Sequence, residues 1–264
     1  MELGLPSIEP KRIVSVQYEP RAQIQVPPRV FSRELCVGPF IGASGRPQEE
    51  ITRVYEEEME TTCGSEEPET LRFRVSDGLM SSLLLGFPFE RIGELQGEAV
   101  AWSATRTISG TLRHCTGEDF CLVETTNRLI DHEASVLMAV TDEGLDRGHQ
   151  KRLRLEIARD VYFLFADGLY CGWQVENPVG YLVPHSVTLL RQANSVSRVD
   201  REFFRRYLLI LDDDCLGFAD PEDLTPADHD LLRLYEDLKA GPGDGMAAQA
   251  IREELETLLY RVIP

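Results

Sequence analysis

The hydrophobic period of this chain changes after Pro184, and no other feature restricts its fold as tightly. Before that point apolar residues tend to alternate with polar ones. "RIVSVQY" (12–18), "AQIQV" (22–26) and "KRLRLEI" (151–157) repeat with period two, as strands with one buried face do. After it they recur every three to four residues. "SRVDREFFRRYLLIL" places Val199, Phe203, Tyr207 and Leu211 at four-residue spacing, and 246–262 aligns Ile251, Leu255, Leu258 and Val262. Strands first and helices afterwards predict an α+β fold. The expected form is a strand-rich N-terminal two-thirds, an antiparallel sheet or partial barrel with one or two helices, followed by a helical C-terminal subdomain. The boundary falls near 184–196. This gives a strand-rich unit over 1–185 and a helical unit over 186–264, packed together as one.

Local signals refine this. Pro6, Pro10, Pro20, Pro27 and Pro28 push the first strands toward sheet edges or an extended arm. "VFSRELCV" predicts a third short strand, and "LRFRV" another. "GPFIGASGRPQEEITRVYEEEME" reads as a glycine-rich loop entering a helix, with Pro47 in its first turn. "DGLMSSLLLGF" reads as a short buried helix, because its leucines are consecutive. "HEASVLMAVTDEG" fits helix or strand. "FADGLYCGW" predicts a hairpin turning at Asp167-Gly168. Thr225-Pro226, with Asp228 three residues after the threonine, opens a capped helix.

Charge sorts the function classes. Formal net charge is −18 over 264 residues, and the acids concentrate at the two ends. Such a balance argues against nucleic-acid binding, which needs a basic footprint. No apolar run approaches the ~20 residues of a membrane-spanning helix. The six cysteines, Cys36, Cys63, Cys115, Cys121, Cys171 and Cys215, have no regular spacing, and the first residues show no secretory signal. Free thiols in a cytoplasmic protein are expected.

Three stretches hold residues able to carry chemistry. In "LDDDCLGFADPED", Asp212, Asp214 and Asp220 fall at positions 1, 3 and 9 of a calcium-type loop, with Gly217 at position 6. Leu216 at position 5 and Asp223 at position 12 break that pattern, so the run reads as the acidic end of a helix; no metal or other cofactor is expected. In "HCTGEDFC", His114 and Cys115 are the candidate reactive groups. The five-residue gap to Cys121 is not the close pairing zinc prefers, and sequence adjacency does not set an imidazole against a sulfur. "GPFIGASG" has glycines before a helix but lacks the spacing of a phosphate loop. There is no G-x-S-x-G elbow and no H-E-x-x-H pair.

Arginine supplies the remaining signal. Arg147, Lys151, Arg152, Arg154 and Arg159 form one cluster; Arg191, Arg198, Arg201, Arg205 and Arg206 form another. Arginine favours planar carboxylate or phosphate partners. Arg198, Arg201 and Arg205 fall at helical steps and share a face. The competing reading pairs these arginines with the protein's own acids. In outline, 76–142 resembles a hot-dog thioesterase, a short helix followed by antiparallel strands. The segment "ADGLYCGWQVENPVGY" resembles part of a small PilZ-type barrel, but Asn177-Pro178-Val179-Gly180 lacks that family's ligand signature. Neither likeness carries a residue across. The expectation is an interaction or regulatory protein without catalysis. It would bind another protein, or alternatively a small anionic ligand, through Arg152, Arg154, Arg198, Arg201 and Arg205 and the acidic ends. The alternative is a hydrolase or transferase with a strand-lined pocket.

Overall fold

The computed structural model describes residues 2–6, 13–20, 22–25, 28–30, 34–37, 61–64, 70–74, 76–88, 91–94, 101–102, 104–114, 125–145, 151–184, 196–211, 224–241, 245–260 and 262–263. The strand-rich part builds two sheets. The larger has nine strands in the order β1-β2-β9-β12-β13-β14-β11-β10-β8. These are β1 (Glu2–Pro6), β2 (Ile13–Pro20), β8 (Arg91–Glu94), β9 (Thr107–His114), β10 (Asn127–Ile130), β11 (Val136–Val140), β12 (Arg152–Ala158), β13 (Val161–Ala166) and β14 (Leu169–Glu176). The smaller sheet has the order β3-β4-β7-β6-β5, from β3 (Arg29–Val30), β4 (Glu34–Val37), β5 (Thr61–Gly64), β6 (Thr70–Phe73) and β7 (Met80–Gly86).

The expected α+β class holds, and among the described residues the long helices lie in the C-terminal third. The larger sheet is mixed, however, and not antiparallel: β8–β10, β9–β12 and β1–β14 run parallel. The β1–β14 pairing, Gly4 opposite Leu169, closes a ring of six strands. β14 has one edge for two partners. β1 takes that edge at Leu169, and β11 takes it from Gly172 to Glu176. Gly172 makes the handover feasible. Its φ is +146°, and a Cβ there would lie 2.2 Å from the Ala139 carbonyl oxygen, so only glycine fits.

The segment read as a buried helix is strand β7. Leu83 and Leu85 point to the main core, while Ser82 and Leu84 are buried on the opposite face. A strand buried on both faces loses its period-two signal. β13, "VYFLFA", behaves in the same way. Val161, Phe163 and Phe165 fill the main core, and Tyr162, Leu164 and Ala166 pack outside it with Trp102, Met138, Val140 and Cys171. Asp167 and Gly168, both at positive φ, make the two-residue turn between β13 and β14.

The ambiguous 132–144 segment is strand β11 followed by a single helical turn, α1 (Asp142–Leu145). Among the described residues three longer helices follow: α2 (Arg198–Ile210), α3 (Pro226–Ala240) and α4 (Met246–Leu258). Ser197 and Asp200 form a capping box on α2, and Thr225 and Asp228 another on α3. The Asp200 carboxylate also lies at the start of α4, where a Cβ on Gly245 would stand 2.8 Å from it. Phe203, Phe204, Tyr207 and Leu208 of α2 belong to the same core as Trp173, Phe163 and Leu85. No helix among the described residues is long and apolar enough to cross a membrane.

One polar contact fixes α2 to the sheet. Arg128 of β10 is 1% exposed. Its guanidinium donates to the Leu208 carbonyl at 2.7 Å and to that of Leu211. These are terminal carbonyls that the helix itself leaves without partners, at the negative end of its dipole.

Candidate interaction surface

One rim of the larger sheet combines backbone conformations that side chains rarely adopt with outward-pointing arginines. It is made by the β10–β11 turn, the β12–β13 turn, the end of β14 and the start of α2. Three non-glycine residues there have positive φ: Ala134 (48°), Asp160 (61°) and Asn177 (53°). For alanine that conformation is sterically unfavourable, so the surroundings must hold it.

The bonds that do so are on each turn. The Asp131 carboxylate accepts from the Ser135 amide at 2.6 Å and the Val136 amide at 2.9 Å, and the Ala134 amide donates to the Asp131 carbonyl at 3.0 Å. The Asn177 amide donates to the Ser135 carbonyl at 2.7 Å, and the Glu176 amide to the Asp160 carbonyl at 2.8 Å. The Tyr181 hydroxyl donates to the Asp160 carboxylate. Burial first, and then that carboxylate, push the tyrosine's pKa upward. Arg201 of α2 spans two of the turns. It donates to the Asn177 side-chain oxygen at 3.0 Å and lies 3.4–3.5 Å from the Glu133 and Ala134 carbonyls.

The sequence-predicted arginines thus divide. Arg198, on the first turn of α2, is exposed beside Val199, which is 43% exposed. Arg159, next to Asp160, projects outward and approaches that carboxylate only to 3.8 Å. Arg201 braces the rim. Arg205 is paired with Glu94 of β8, and Arg206 with Asp237 of α3 at 2.8 Å.

Arg154 lies on the outer face of the sheet, 5% exposed. Its guanidinium sits 3.9 Å above the Tyr162 ring and pairs with Glu176. Glu176 also accepts from the Tyr162 hydroxyl at 3.2 Å and the Gln174 amide at 3.3 Å. Desolvation first, and then Glu176, hold Tyr162 protonated well above the usual tyrosine range. Arg152 stacks over Trp102 at 5.1 Å. Arg152 and Arg154 therefore serve the sheet's own packing, and Arg154 reaches the rim only through Glu176, the neighbour of Asn177.

His114 ends β9 where the two sheets meet. Its ring packs on Phe73 at 5.5 Å, and its amide donates to the Gly78 carbonyl at 2.9 Å. That hairpin tip needs glycine, because φ is +68° and a Cβ would meet the His114 carbonyl oxygen at 2.5 Å. Cys115, Cys121, Asp212, Asp214, Asp220, Arg147, Arg191 and residues 38–60, read from the sequence as a loop entering a helix, lie outside the described residues. Cys171 is a buried free thiol whose pKa burial pushes up to about 12. It is inert as a nucleophile.

Sequence reasoning missed the left-handed turns. Asn177 ahead of a proline carried some signal, but Ala134 carried none. Arg128 stood alone in "NRLI" and was hidden in the same way. No family model matches the chain, and no curated protein matches it.

Proposed function

We propose that this chain is an intracellular interaction or regulatory protein, without catalysis of its own, that docks another protein on this rim. Arg198 and Arg159 make the contacts, and Arg201 and Arg205 hold α2 behind them. The supporting observation is the clustering of three left-handed non-glycine residues at one place, each tied down by hydrogen bonds. The left-handed conformation of Ala134 costs on the order of 1–3 kcal/mol, and such strain clusters at functional sites, while Asp160 and Asn177 adopt it readily, as aspartate and asparagine do in turns. A rigid surface binds with less loss of freedom on association. The two exposed guanidiniums favour carboxylates on the partner.

The experiment is affinity capture from the native host, followed by reconstitution with the captured partner. Arg159→Glu with Arg198→Glu should weaken binding by at least tenfold at an unchanged thermal midpoint, whereas Arg233→Glu on α3 should not. Equal binding by the rim variant would overturn the proposal. Arg205→Glu is a poor substitute, because it breaks the pair with Glu94 and would report on folding instead.

A further inference from the structure

We draw no further inference here: the strongest candidate, the cluster of Arg152, Arg154, Trp102, Tyr162 and Gln174 on the outer face of the larger sheet, is engaged by the protein's own Glu176 and by its own ring stacking, and nothing in the structure points to a ligand there.

Discussion

Replacing Arg128 tests how the helical region is attached to the sheet. The guanidinium is buried and donates to two carbonyls at the end of α2. A hydrogen bond involving a charged group contributes about 1.5–3 kcal/mol, and an acceptor left buried without a donor costs about 1–3 kcal/mol. Opposing this, a buried guanidinium carries a desolvation penalty of several kcal/mol. Two substitutions separate the terms. Arg128→Ala leaves a cavity and two stranded carbonyls, and should cost about 3–5 kcal/mol. Arg128→Met strands the same two carbonyls and removes the same charge but refills most of the volume, so the loss should fall to about 1–3 kcal/mol. For a chain of this size each kcal/mol lowers the midpoint by roughly 2–4 °C. Denaturant titration gives the free energies. Hydrogen exchange gives the location, because amides in the last turns of α2 should lose protection before those of β13. If Arg128→Met matches or exceeds the wild type, the contact does not anchor the helix, and the reasoning fails.

Other expectations concern the barrel, its chemistry and its thiols. Gly172→Ala should cost more than about 3 kcal/mol or abolish folding, since it adds strain at φ +146° and drives a methyl into the Ala139 carbonyl. Gly168→Asn, at a turn with open space around it, should cost less than about 1 kcal/mol by the same titration. Stability should fall above about pH 9. Cys171, Tyr162 and Tyr181 are all held protonated in the fold, so the unfolded chain releases their protons first, and the stabilisation present below those unfolded values is lost as pH rises. Cys171→Ala should move the onset of that fall toward pH 10, read from midpoints against pH. Thiol counting in denaturant without reductant should find all six cysteines free; fewer than five would refute the cytoplasmic thiol expectation, and in native buffer Cys171 should not react.

Legibility followed exposure. Where the outer face carries polar residues, as in β12 with Arg152, Arg154 and Glu156, the alternation was plain in the sequence. Where both faces are covered, as in β7, the leucines ran together and imitated a helix. The capped start of α3 was readable because its bonds are local, from Thr225 to Asp228. The parallel pairings were not, because they join residues far apart and leave no mark on either segment. The arginines at 198–206 were correctly placed on one helix, but their partners Glu94, Asn177 and Asp237 lie 24 to 111 residues away. For that reason the exposed Arg198 could not be told from the engaged Arg205 in advance.

The ring closed by β1 has a temporal consequence. β1 can pair with β2 once residue 20 has been made, but its second partner, Leu169, is synthesised about 150 residues later. At ribosomal speeds of about 5–20 residues per second that is a wait of roughly 8–30 s. Throughout it the nascent chain carries a hairpin with an unsatisfied edge, the kind of surface that recruits other strands. β1 is therefore among the last strands of the ring to be locked on both sides, and a pause before residue 169 prolongs the period in which the chain is open to aggregation or to chaperones.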